Sequence, residues 1–176
     1  MKIDLVNGVQ PVSVDSVEQT ARELAELLDA CRAPDATPDL GAHVSALEAA
    51  QIAHQIGAGL VALVRHPTAD PALLLGVLVT GTTDSWDGVE ATSVSEIREV
   101  VHGRTACGHE VTFVERVVSV DQLRAGEPFD CQLQAAVADP QRRRLAVFTL
   151  SSPSGRGWLA LSTLFGQLVS SVDFRD

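Results

Sequence analysis

The sequence predicts an α+β domain in which helices pack on a largely antiparallel sheet. Helical spacing near the N-terminus, strand-like runs in the middle and a second helical pattern at the C-terminus support this class. The chain has 176 residues, of which 45% are hydrophobic and 20% charged. This composition is that of a globular protein, and the length suits one domain. We therefore expect residues 1–176 to form a single domain.

The first predicted helix covers residues 16–32. Asp15 and Glu18 resemble a helix-capping pair, and Pro34 prevents much continuation. A polar loop separates this helix from a second one, predicted over 43–57. The expected core-facing residues of the first helix are Val17, Ala21, Leu24, Leu28 and Cys31, and those of the second are Ala49, Ile52, Ala53 and Ile56.

Two apolar runs follow, 60–65 and 73–80, and their short connection predicts an antiparallel hairpin. The pair Ser93 and Glu96 is typical of a capping box, so a third helix is predicted up to Gly103.

Three strands and a helix are predicted in the last third of the chain. The strand over 110–120 loses its alternation at Glu115-Arg116, which predicts a bulge or bend. The strand over 129–138 alternates cleanly, with Cys131 on its core-facing side, and the strand over 144–151 follows a turn. The terminal helix is predicted from apolar residues three or four apart, which are Trp158, Leu161, Phe165, Leu168 and Val172.

The order of these C-terminal elements, ending in Val169-Ser170-Ser171-Val172-Asp173-Phe174, resembles the PsbP-like family. That family is similar in fold to a small nuclear-import factor that binds Ran. The resemblance covers roughly the C-terminal half of the chain. It implies a role in binding or assembly more than in catalysis, and it carries over no site residue, because no functional motif of the family is matched.

Charge and hydropathy exclude two classes of partner. The 13 basic and 23 acidic residues give 13 − 23 = −10, a field that repels nucleic acid and favours a protein with a basic surface. The longest apolar runs are far shorter than the roughly 20 residues of a membrane span. Residues 1–8 lack the apolar core of an export signal, so we expect a cytoplasmic protein. Scarce Lys and Asn indicate a GC-rich bacterial genome.

Cys107 and His109 form the most reactive-looking pair in the sequence. On an extended segment both side chains point the same way, so the imidazole could activate the thiol or share a metal with it. The alternative is that these residues only form the loop that leads into a strand and have no chemical role. The three cysteines form no C-x-x-C unit, and the spacing of the histidines suits no shared ligand set. We therefore predict no metal and no cofactor.

A candidate anion site lies in the segment Ser154, Gly155 and Arg156, which precedes the last helix. Backbone N–H groups and the guanidinium there could hold a phosphate or carboxylate, although the sequence favours a plain connecting loop.

Candidate contacts with a partner are Trp86, in a polar loop, and the basic cluster Arg142, Arg143 and Arg144 at a predicted hairpin tip. The alternatives are a tryptophan folded over a sheet edge and a solvated tip.

The function predicted from these features is that of a non-enzymatic protein-interaction module, similar to an adaptor, a secretion chaperone or an immunity protein. The alternative is a binder of small molecules or anions, or an enzyme, that uses Cys107, His109 and Arg156. The alternative requires these three side chains to converge on one pocket.

Overall fold

A seven-stranded antiparallel sheet forms the centre of the fold, and helices lie on both of its faces. The computed structural model describes residues 1–32, 40–81, 97–117, 130–139, 141 and 143–175. The strands of this part of the chain are β1 (Val9–Val12), β2 (Leu60–Val64), β3 (Ala72–Thr80), β4 (Ile97–Arg104), β5 (Glu110–Val117), β6 (Cys131–Asp139) and β7 (Arg144–Ser152). Their spatial order is β1-β2-β3-β7-β6-β5-β4. The predicted α+β class is confirmed.

The helices within the described residues are α1 (Val17–Asp29), α2 (Leu40–Gln55) and α3 (Trp158–Ser170). Successive strand residues point to opposite faces, and this separates two hydrophobic clusters. Val61 packs with residues of α1 and α2, whereas its neighbour Ala62 packs with those of α3. We call the two sides of the sheet the α1–α2 face and the α3 face.

Helix α1 matches its predicted position, but its N-cap is displaced by one residue. The Oγ of Ser16 accepts a hydrogen bond from the N–H of Gln19 at 3.2 Å. The predicted capping by Asp15 is therefore wrong. Ser16 has the extended backbone that a cap requires, and its short side chain reaches the free N–H group.

Helix α2 is present, and its core-facing side was predicted only in part: Ala53 is buried and Ala49 packs against the same cluster, as expected, but the two isoleucines do not. The buried residues are Ala46, Ala50 and Ala53, whereas Ile52 and Ile56 are exposed. Alanines against α1 allow the two helices to approach closely, and the larger side chains turn outward.

The predicted β2–β3 hairpin is confirmed as an antiparallel pair. Strand β1, which the sequence did not predict, pairs antiparallel with β2 and forms one edge of the sheet. Its Pro11 suits an edge position, where one side of the strand needs no ladder hydrogen bonds.

The predicted helix up to Gly103 is wrong where the structure describes it, because Ile97–Arg104 is strand β4. Eight consecutive residue pairs join β4 to β5. The capping pair Ser93 and Glu96 lies outside the described residues. The β-branched residues Val100 and Val101 favour a strand once a partner strand is available.

Strands β5, β6 and β7 follow their predictions except for the bulge. Register continues through Glu115 and Arg116 on both sides, so the predicted bulge is absent from this described pairing. On β6 the predicted inward residues Cys131, Leu133, Ala135 and Val137 are all buried.

Helix α3 lies on the sheet, as predicted. Leu161, Phe165, Leu168 and Val172 are almost fully buried, and the half-buried Trp158 donates an indole hydrogen bond to Glu115. None of the described helices is long and apolar enough to cross a membrane.

Candidate functional site

Cys107 and His109 lie in the turn between β4 and β5, beside the C-terminal segment. The Sγ of Cys107 accepts a hydrogen bond from Nη2 of Arg175 at 3.3 Å. The Nε2 of His109 accepts from the N–H of Phe174 at 3.4 Å and lies 3.5 Å from the carboxylate of Asp173. The two side chains thus contact different residues of the C-terminal segment. Their contacts attach this segment to the turn between β4 and β5.

Electrostatics strengthen this attachment. Hydrogen bonds from the side chain and the backbone N–H of Arg175 hold the pKa of Asp173 well below its usual range. The aspartate therefore stays charged and accepts these bonds throughout the neutral range.

Arg144 completes the attachment of the C-terminal segment. Its guanidinium donates two hydrogen bonds to Oδ2 of Asp139, at 2.7 and 3.1 Å, and one to the carbonyl of Phe174 at 2.9 Å. It also lies 5.1 Å from the centre of the Phe174 ring. Only 15% of the Arg144 side chain is exposed. Its hydrogen bonds are made within the chain and not at a solvated hairpin tip.

The loop between β7 and α3 holds a carboxylate that belongs to the chain itself. Ser154 donates a hydrogen bond to Oδ2 of Asp70 at 2.7 Å, and Arg156 lies 3.7 Å from Oδ1. Gly155 has a positive φ of 63°, which lets the loop turn beside these groups. Asp70 therefore occupies the position at which the sequence predicted an external anion.

The two groups of candidate residues lie at opposite ends of the sheet. Cys107 and His109 are beside Phe174 and the start of β7, whereas Arg156 follows the end of that strand. Nine residues at ~3.3 Å per residue separate the strand ends by roughly 26 Å. The pocket shared by Cys107, His109 and Arg156, which the enzyme alternative requires, is not formed.

Of the proposed partner contacts, Trp86 and Arg142 lie outside the described residues. Arg143 is described, and its Nη2 donates to the carbonyl of Gly81 at 3.2 Å, which joins the ends of β3 and β7. Among the described residues, no group of three or more His, Cys, Asp or Glu side chains could hold a metal ion.

The most unusual surface is one that the sequence did not predict, the outward side of α2. We call it the α2 apolar face, and define it by four large side chains of the helix and by that of Ile56, the residue directly after it. They are Leu40 (81% exposed), Val44 (53%), Leu47 (43%), Ile52 (52%) and Ile56 (46%). A helix that is apolar all round is normally covered on every side. Exposed apolar residues concentrated on one element indicate an interaction surface.

The flank of this surface is acidic. Helix α1 carries four acidic residues and one arginine, so its formal charge is 1 − 4 = −3. The only charged residue of α2 apart from its histidines is Glu48. The sequence carried this signal, because a helix of 16 residues with one carboxylate is too apolar for a solvent-exposed position.

The chain matches no known protein-family model, and no curated protein matches it significantly. The resemblance to the PsbP-like family therefore stays a prediction.

We expect the three free thiols to react at very different rates. Burial, followed by the charges of Glu115 and Asp130, raises the pKa of Cys131 to about 11, and burial also raises the pKa of Cys31. Cys107 is half-exposed in a turn. A maleimide at pH 7.5 should therefore modify Cys107 first and spare Cys131, because only an accessible thiolate reacts.

Peptide mass spectrometry over a time course measures this order, and the same reaction in denaturant is the control, since all three thiols should then react alike. Rapid native labelling of Cys131 would contradict its position in the core.

Proposed function

We propose that this chain is a cytoplasmic protein-interaction module whose docking surface is the α2 apolar face. The observation that carries the proposal is the exposure of large apolar side chains on four residues of α2 and on Ile56, which directly follows it, while the residues that this helix buries are alanines. Free thiols at Cys31, Cys107 and Cys131 are compatible with a reducing compartment.

Energetics indicate what the partner must provide. Complete burial of a Leu, Ile or Val side chain contributes roughly 1.5–3 kcal/mol, and about half of that remains available at most positions of the α2 apolar face. The five residues together supply on the order of 4–8 kcal/mol, whereas association costs about 4–15 kcal/mol. Contacts at the rim must therefore contribute as well.

The rim favours a basic partner. The charge of −3 on α1 and the net charge of −10 attract a protein with an apolar centre surrounded by Lys and Arg. Two copies of this chain would bring two acidic α1 helices together, so a different protein suits the surface better than self-association. Binding should weaken as salt screens these charges.

The test is copurification from the source cells with tagged wild-type, Val44→Glu and Leu47→Glu chains. The matched control is Leu159→Glu, because Leu159 is 81% exposed on α3, which lies on the other face of the sheet. We expect wild-type and Leu159→Glu to retain one partner. The two α2 variants should recover at least tenfold less of this partner than the wild-type chain does. Their melting temperatures should stay the same, since a substitution at an exposed position changes stability little.

Equal recovery with all four chains, or no partner at low salt, would refute the proposal. Light scattering after gel filtration provides a second readout. If the wild-type chain is a dimer and Val44→Glu is a monomer, the α2 apolar face binds a second copy of this chain and not a different protein.

A further inference from the structure

A second feature, independent of the α2 apolar face, is a pocket between the end of α1, the start of β1 and the segment that follows β2. We infer that this pocket binds a small organic carboxylate, whose carboxylate group pairs with Arg65. Its volume is about 580 Å³, which lies within the range of small-ligand sites. The anion-binding group is Arg65 and not Arg156, which already has Asp70 as its anion.

The position of Arg65 follows from the sheet. Val61 of β2 packs on the α1–α2 face, and side chains alternate along a strand, so Arg65 points to the same face. Gln10 lies on this face as well, because it pairs with Leu63 of β2. Nη1 of Arg65 donates a hydrogen bond to Oε1 of Gln10 at 3.3 Å. Both residues line the pocket.

A third lining residue, Cys31, also lies beside the guanidinium. Burial raises the pKa of the Cys31 thiol, and the charge of Arg65 opposes this rise. The thiol itself donates to the carbonyl of Leu27 at 3.1 Å. The guanidinium of Arg65 is therefore in contact with two side chains that line the pocket, those of Gln10 and Cys31.

Arg65 is half-buried, yet no carboxylate of the described residues pairs with it. Its side-chain partners, Gln10 and Cys31, are neutral, and the nearby end of α1 supplies only about half an elementary negative charge. Arg144, which is also shielded from water, has Asp139 as its partner. A charge that is partly removed from water is normally paired. A carboxylate matches a guanidinium through two parallel hydrogen bonds.

The other walls of the pocket define the rest of the ligand. Val6, Pro67 and Pro71 supply apolar surface, which favours a carbon skeleton over a bare inorganic ion. Asp70 also lines the pocket, and Ser154 holds its carboxylate at 2.7 Å. This negative charge and the end of α1 disfavour a second negative charge on the ligand. The ligand class is therefore a monocarboxylate with a compact apolar body.

Benzoate and benzamide are a matched pair of probes, because they have nearly the same shape and differ in charge. Titration calorimetry with the full chain at constant ionic strength should show benzoate binding at least tenfold more tightly than benzamide or inorganic phosphate. Benzamide binding as tightly as benzoate would overturn the role of Arg65. Phosphate binding as tightly as benzoate would overturn the carboxylate class, and no binding of benzoate would refute the site.

Alkylation of Cys31 in the wild-type chain locates the bound probe. Because this thiol lies in the pocket beside Arg65, saturating benzoate should slow its reaction with iodoacetamide at least tenfold at mildly alkaline pH. Cys107 is the internal control, since it lies in the turn between β4 and β5 and should react at an unchanged rate. An unchanged rate at Cys31, or equal slowing of both thiols, would place benzoate elsewhere and refute the inference.

A substitution tests the contact with the carboxylate itself. Arg65→Gln should weaken benzoate binding at least tenfold and leave benzamide binding unchanged. Arg22→Gln, at an exposed position of α1, is the matched control and should change neither. Benzoate binding at wild-type strength by a folded Arg65→Gln chain would overturn the assignment. If that variant does not melt cooperatively, the protection of Cys31 in the wild-type chain decides.

Discussion

Deletion of residues 155–176 is expected to abolish the cooperative fold. This segment contains α3 and buries six apolar side chains against the sheet, namely Leu161, Phe165, Leu168, Val169, Val172 and Phe174. At roughly 1.5–3 kcal/mol each, their burial contributes on the order of 9–18 kcal/mol before entropy. A protein of this size is stable by only about 5–15 kcal/mol. The deletion also exposes Phe148 and Leu150 on the α3 face.

Near-ultraviolet circular dichroism, dye binding and thermal melting test this expectation. The truncated chain should be insoluble, or should retain helical signal without a sharp transition, as a molten globule does. A point substitution separates packing from length. Phe165→Ala should cost about 3–5 kcal/mol, whereas Leu159→Ala, at an exposed position of α3, should cost less than about 0.5 kcal/mol. A truncated chain with a sharp transition would show that α3 is not part of the core.

The C-terminal half was predictable because its patterns are strictly periodic. The alternation from Cys131 to Val137 and the 3–4 spacing of Leu161, Phe165 and Leu168 each have one buried side, and burial of that side is a strong constraint. In both elements local pattern and tertiary packing favour the same structure.

Strand β4 was mispredicted because the information that decides it is not local. Ser93 and Glu96 favour the start of a helix, yet residues from Ile97 onward pair with β5 along eight positions. Ladder hydrogen bonds and cross-strand contacts of Val100 and Val101 outweigh a capping signal worth about 1 kcal/mol. Strand β1 was missed for the same reason, since four residues carry too little periodicity and only pairing with β2 defines it.

The candidate site shows a similar division. Cys107, His109 and Arg144 were recognised as chemically capable residues, but their partners, Asp173, Phe174 and Arg175, follow them by 30 residues or more. Sequence spacing could not show that these groups hold the C-terminal segment. On α2, apolar residues surround the helix, so periodicity could not select the buried side, and this ambiguity is itself the signature of the α2 apolar face.

Among the proposed substitutions of charged residues, we expect Arg144→Leu to lower the free energy of unfolding most. The guanidinium pairs with Asp139, which is 6% exposed, and also holds the carbonyl and the ring of Phe174. Removing one partner of a buried pair leaves the other charge with less compensation, which typically costs about 3–5 kcal/mol. Arg144→Lys should fall between wild type and Arg144→Leu, because an ammonium keeps the charge but loses the two-point geometry.

Chemical denaturation of Arg144→Leu, Asp139→Asn and the double variant measures the coupling. If the pair acts as a unit, the double variant should be more stable than the sum of the single costs predicts, by at least about 1 kcal/mol. Arg156→Leu is the matched control, because this arginine is 76% exposed and lies 3.7 Å from Asp70, and an exposed ion pair contributes only about 0–1 kcal/mol. Equal costs for the two arginines would mean that the Arg144 side chain is solvated and that the C-terminal segment is held by its apolar contacts alone.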